Sequence, residues 1–112
     1  MVFDISKVGG IGGFTDETVK IGEGDDAETV EVYRVEAGDD QESPKAFLVI
    51  RKNTLELRTD EKLRDLLKEK YESVMESRYF GRGGIEIVNS GQLAEDEMND
   101  LVRLSYNLSK EK

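Results

Sequence analysis

Residues 46–71 read AFLVIRKNTLELRTDEKLRDLLKEKY, and the hydrophobic period changes once within them, from about two residues to about 3.6. Ala46 to Ile50 is an unbroken apolar run between Lys45 and Arg51, the pattern of a central strand covered on both faces. Leu55 and Leu57 then alternate with Thr54, Glu56 and Arg58, which predicts a half-buried strand. Thr59 or Asp60 follows as a helix cap, with Asp60 and Glu61 complementing the positive end of the helix. Leu63, Leu66, Leu67 and Tyr71 recur at helical spacing, while Glu61, Lys62, Arg64, Asp65, Lys68 and Glu69 face outward. The stretch is an amphipathic helix of about three turns.

Upstream, Thr29 to Glu36 (TVEVYRVE) is rich in β-branched residues and reads as a strand. Val19 and Ile21 alternate with Thr18 and Lys20 as a shorter one, and Gly22 to Asp26 reads as the turn between them. Gly9-Gly10-Ile11-Gly12-Gly13 cannot hold a helix. It lacks the Lys and Ser/Thr of a phosphate-cradling loop, and Asp16 and Glu17 follow it, so a glycine turn is expected. Gly38 to Pro44 is a polar loop. Downstream, Ser77 to Gly84 (SRYFGRGG) breaks the helical pattern, Ile85 to Val88 gives one more strand, and Asn89-Ser90-Gly91 turns the chain. A second helix is expected from about Ala94 to Leu108, with Met98, Leu101, Val102, Ser105 and Leu108 on one face. One-sided helices and a sheet close a core as an α+β two-layer sandwich: an antiparallel sheet with two helices in the C-terminal half. At 112 residues one domain is expected, with a glycine-rich and acidic hairpin region over 1–44 and a core over 45–108.

Composition narrows the chemistry. The sequence has no Cys and no His, which removes thiolate nucleophiles, disulfides and the commonest general base and metal ligand. Its carboxylates are assigned to polar turns and helical faces, where the burial that raises a catalytic pKa is lacking. Asp25-Asp26-Ala27-Glu28 lacks the alternating ligands of a calcium loop. No serine has a visible activator. No enzymatic activity, metal or cofactor is therefore expected. The first residues show no basic region followed by an apolar run, and no stretch approaches a membrane span, so a cytosolic protein is the expectation.

The net charge of −9 is uneven. Asp16 to Glu42 holds eleven acids against Lys20 and Arg34, a balance of −9; Lys45 to Arg82 holds ten bases against seven acids, a balance of +3. Inside that basic middle lies Arg78-Tyr79-Phe80-Gly81-Arg82-Gly83-Gly84, two guanidinium groups and two rings between a helix and a strand. Arg78, Tyr79, Phe80 and Arg82 are the candidate binding residues, able to stack bases or clamp a phosphate or carboxylate. The competing reading makes an aromatic a plug at the core edge and pairs the arginines with nearby acids.

From Val30 to Leu108 the chain resembles the MmcQ/YjbR-like family, small bacterial domains described as predicted DNA-binding proteins with a secretion-chaperone-like fold. The likeness runs through Ala46 to Ile50, Leu55 to Arg58, the helix after Thr59-Asp60, and Asp100 to Tyr106 with its Ser105-Tyr106 pair. Where relatives carry a polar His-Met-Asn-Lys-like loop followed by Trp, this chain has Tyr79 to Gly84 followed by Ile85, and Arg82 matches a basic position. The resemblance implies a layered sheet with helices on one face and no established reaction. Together these readings give a non-enzymatic binding module working through the sheet edge and loop 78–84. The expected partner is another protein or a second copy. The alternatives are DNA, as the family label suggests, or an acidic chaperone-like homodimer holding an extended client.

Overall fold

The structure, a computed structural model, describes residues 5–36, 45–88 and 93–110. In chain order its elements are β1 (Phe14–Ile21), β2 (Glu28–Val35), β3 (Ala46–Ile50), β4 (Thr54–Arg58), α1 (Glu61–Lys70), β5 (Val74–Ser77), β6 (Gly81–Val88) and α2 (Glu95–Lys110). The strands form one antiparallel sheet in the order β1-β2-β3-β4-β6-β5. Both helices cover the same face, α2 across β2 to β4 and α1 against β5 and β6. This is the α+β sandwich that the change of period predicts. No helix among the described residues is long and apolar enough to cross a membrane.

On α2 the buried stripe is Met98, Val102, Ser105, Tyr106 and Ser109, with Leu101 and Leu108 half-buried. Tyr106 meets Phe47 edge to face at 5.0 Å, and Tyr33 and Phe14 extend the aromatic cluster along β2 and β1. The pairing of β2 with β3 slips between Tyr33 and Arg34, so that Phe47 has no partner in β2. The helix compensates there. The Ser105 hydroxyl donates to the Phe47 carbonyl (2.5 Å) and accepts the Arg58 N–H (2.8 Å), beyond the last β3–β4 pair, Leu48 with Leu57. Two buried peptide groups are thus satisfied by one side chain. That is the physical content of the Ser-Tyr pair in the closing helix.

Five sequence expectations need correction, one being that the last strand starts at Ile85: β6 begins at Gly81 and already pairs with Arg58 at Gly84. The first strand is not a short one around Val19 and Ile21; it begins at Phe14, which joins the aromatic cluster, and pairs with β2 over eight residues. A strand, β5, lies where the sequence offered only the end of a helical pattern; Val74, facing α1, is its one buried apolar residue. In β4 Thr54, Leu55, Glu56 and Leu57 are all buried, so the strand is covered on both faces rather than half-buried. Finally, α1 buries no residue fully. Leu63 and Leu67 are half-buried, Leu66 is 60% exposed, and Arg64, expected outward, lies along the protein surface and donates to the Arg82 carbonyl (2.8 Å). The cap is Asp60, whose carboxylate accepts the Leu63 N–H (2.7 Å). Gly10 sits at φ +78°, in keeping with the glycine turn. The predicted loop Gly38 to Pro44 and turn Asn89 to Gly91 lie outside the described residues.

Candidate functional site

The face without helices is built from the other side chains of the same strands. β4 and β6 align Glu56 directly opposite Glu86, and both carboxylates have no solvent exposure. A buried carboxylate is costly unless charge and hydrogen bonds compensate it, and here each is surrounded by donors. Glu56 accepts from Arg51 Nε (2.5 Å), the Ser77 hydroxyl (2.7 Å) and the Tyr79 N–H (2.8 Å). Glu86 accepts from the Thr54 hydroxyl (2.8 Å) and side-on from Arg78, through Nε (2.9 Å) and Nη2 (2.6 Å). Arg51 extends the array by donating from Nη1 to Glu28 on β2 (2.9 Å). Burial pushes the Glu86 carboxyl up, but the hydrogen bonds from Arg78 and Thr54 and the Arg78 charge outweigh it, so it titrates below the ordinary carboxylate range. The hydrogen bond to Glu86 raises Arg78 correspondingly.

The β5–β6 turn is held down by this array. Ser77 accepts the Phe80 N–H (2.8 Å) while donating to Glu56, so one hydroxyl ties the turn to the sheet. Gly81, at φ +62°, reverses the chain. At Gly84 a Cβ would come within 2.6 Å of Phe80 Cβ and 2.5 Å of the Leu57 carbonyl, so only glycine lets the turn fold this closely onto β4. Phe80 consequently lies down on Val30, Val32, Ala46 and Val49, and the Arg58 guanidinium stands 5.0 Å from its ring centre. Burial lowers the Arg58 pKa, partly offset by Tyr79, and its Nε donates to the Ala46 carbonyl (3.2 Å).

Between this turn and the β1–β2 hairpin lies an open cleft of about 520 Å³, lined by Ile21, Gly22, Glu28, Arg51, Arg78 and Tyr79. Of the four residues the sequence proposed, Arg78 and Tyr79 line it, Tyr79 with 37% exposure. Phe80 is the core-edge plug. Arg82 is exposed beyond the turn and does not reach the cleft. Among the described residues Arg78 Nη1 makes no hydrogen bond, so one face of its guanidinium is open to a ligand. Arg51 Nη2 likewise makes no hydrogen bond among the described residues, but its side chain is buried.

The sequence reading missed Glu56, Glu86 and Arg51, having assigned the acids to turns and helical faces. Both glutamates sit in strands within the same motif, Leu55-Glu56-Leu57 and Ile85-Glu86-Ile87. Among the described residues no group of three or more acidic side chains is arranged to hold a metal ion.

No family model matches the sequence, and no curated protein does. Among solved structures the chain is similar to the crystal structure of Deinococcus radiodurans protein DR2400, which carries the DUF419 domain. The TM-score is 0.66 at 17% identity, covering 85% of this chain and 70% of that one. The likeness is one of fold: a six-stranded antiparallel sheet backed by two helices.

Proposed function

We propose that the protein is a non-enzymatic binding module that engages another polypeptide through the β1 sheet edge and the turn at 78–84, with Arg78 and Tyr79 as its contact residues. The observation that carries this reading is the cleft, whose floor is a fixed array of ion pairs and whose far wall is the end of β1. A peptide laid along β1 meets backbone donors and acceptors at the edge, and a segment passing over Ile21 enters the cleft that Tyr79 and Arg78 line. Catalysis by the glutamates is disfavoured because each carboxylate already accepts three hydrogen bonds within the array and has no solvent exposure. DNA is the weaker alternative. Arg34, Arg51 and Arg78 are engaged by Glu17, Glu28, Glu56 and Glu86, which a phosphate would have to displace, and the chain carries −9. Membership of the MmcQ/YjbR-like family, a cytosolic setting, and a chaperone-like hold on extended clients belong to the same proposal; the DUF419 neighbour supports the first of these at the level of fold.

A selection from a random peptide display library, followed by fluorescence-anisotropy titration, tests the reading. Selected peptides should bind about tenfold or more weakly to Tyr79→Ala and to Arg78→Ala, as expected of contact residues. If no peptide is enriched while short duplex or single-stranded DNA binds with a steep salt dependence, the module reads nucleic acid instead.

A further inference from the structure

The outer edge of β1 pairs with no strand among the described residues, and it is eight residues long and free of proline. Sheets protect such edges with charges, bulges or short strands. Here charges are present, but their order makes the strand complementary to itself.

The register against β2 assigns the faces. Phe14, Asp16, Thr18 and Lys20 stand beside Val35, Tyr33, Glu31 and Thr29, and Phe14 joins the helix-side aromatic cluster; Thr15, Glu17, Val19 and Ile21 point to the cleft side. Two copies of β1 that continue the sheet with both helix layers on one side must pair helix-side residues with helix-side residues, so a two-fold axis passes through a residue. An axis at Glu17 sets two carboxylates against each other. An axis at Val19 brings no charged pair together. An axis at Thr18 places Asp16 opposite Lys20 twice, Thr18 opposite Thr18, Glu17 opposite Val19, and Thr15 opposite Ile21. Opposite charges and a threonine pair are favourable cross-strand neighbours. Asp16 and Lys20 are exposed, and among the described residues neither has an ion-pair partner in its own chain. Registers that match Lys20 with Glu17 are closed to two outer edges, because they set a residue whose N–H and C=O point outward against one whose groups point to β2.

We infer that the occupant of this edge is a second copy of the chain, paired antiparallel about Thr18 to give one continuous twelve-stranded sheet, twice the six strands of each copy. The inference rests on the reading of the protein as a polypeptide-binding module and names the partner at its edge. Ile21, a wall of the cleft, then faces Thr15 of the second copy, so the cleft of each copy is completed at the dimer seam.

Sedimentation velocity up to about millimolar concentration reads the state directly. The full chain should dimerise. Asp16→Lys and Lys20→Asp should each raise the dimer dissociation constant about tenfold or more, because every altered pair occurs twice. The double variant Asp16→Lys/Lys20→Asp should recover the original constant, since it re-forms both pairs only in the Thr18-centred register. Both substituted positions are exposed, and circular dichroism confirms that each variant folds. A chain that stays monomeric throughout overturns the inference, as does a dimer indifferent to Asp16 or a double variant as weak as the singles. Peptide selection against the monomer separates the two proposals: a monomer that captures peptides through Tyr79 leaves the binding-module reading standing, and one that captures none removes both.

Discussion

On the helix side of the sheet, β4 and β6 present Leu55, Leu57, Ile85 and Ile87, none more than 1% exposed. On the other side the same two strands present Thr54, Glu56 and Glu86, sealed almost as completely. The first face is closed by apolar contact, which is non-directional and tolerates side-chain rearrangement. The second is closed by charge-assisted hydrogen bonds, which stabilise only when each group meets its partner in the right geometry. The contrast explains why the turn at 78–80 has a fixed position. Its Tyr79 N–H and Ser77 hydroxyl both converge on one Glu56 oxygen. The helix side supplies the stability of the fold, and the charged side fixes where the contact residues Arg78 and Tyr79 stand.

Replacing adjacent residues that point to opposite faces breaks this comparison most severely. Leu57→Ala leaves a cavity under α2 and should cost about 2–5 kcal/mol in denaturant unfolding. Glu56→Ala leaves the buried Arg51 only Glu28 as a partner and takes the acceptor from the Ser77 hydroxyl and the Tyr79 N–H, and should cost about 3–5 kcal/mol. The two variants differ in what else they disturb. Glu56→Ala should release the turn, so that the Tyr79 amide exchanges with solvent far faster than in the parent, whereas Leu57→Ala should leave its protection relative to global unfolding unchanged. Equal Tyr79 protection in both variants would mean that Glu56 does not hold the turn.

Acid sharpens the same contrast at a smaller scale. Glu86 titrates below its unfolded value, so the stability it contributes is present above about pH 4.3 and is lost as the pH falls through the lower folded value. Glu86→Gln should therefore be less stable than the parent by about 1.5–3 kcal/mol at neutral pH, the scale of a hydrogen bond to a charged group. The gap should narrow as the pH drops below about 4. Leu57→Ala, which changes no charge, should keep a constant gap over the same range. A Glu86→Gln gap independent of pH would show that the carboxylate charge is not what Arg78 and Thr54 stabilise.

How much of this was legible in the sequence follows from the same division. The helix side was readable because apolar burial leaves a period: Leu55 and Leu57 at two, and Met98, Val102 and Ser105 at helical spacing. The charged side was not, because a glutamate between two apolar residues has the same pattern whether it faces water or a buried arginine. The continuous run Ala46 to Ile50 did hold the clue. A strand covered on both faces implies cover for its neighbours too, and Val49 lies directly beside Glu56. β5 escaped notice because a four-residue strand offers one buried apolar side chain to read. Of the proposed contact residues, Arg78 and Tyr79 were placed by an unusual composition. Phe80 was separated from them by Gly84, whose lack of a side chain lets the ring lie on the sheet.

The smallest expected effect concerns α1, where helical spacing was followed without the burial it implied. Leu66 and Leu67 fit the apolar stripe equally well, yet Leu66 is 60% exposed while Leu67 is half-buried against the core. The cause is the platform: α1 rests on β6 and the four-residue β5 at the sheet margin, too narrow to cover a full helical face. Leu66→Ala removes little buried surface and introduces the best helix former, so it should change stability by less than about 0.5 kcal/mol. Leu67→Ala should cost about 1–2 kcal/mol, part of the loss for a fully buried leucine. Thermal unfolding of the pair at low concentration, where any self-association is absent, measures the difference within one chain. Equal losses at the two positions would require that some further surface covers the outer side of α1.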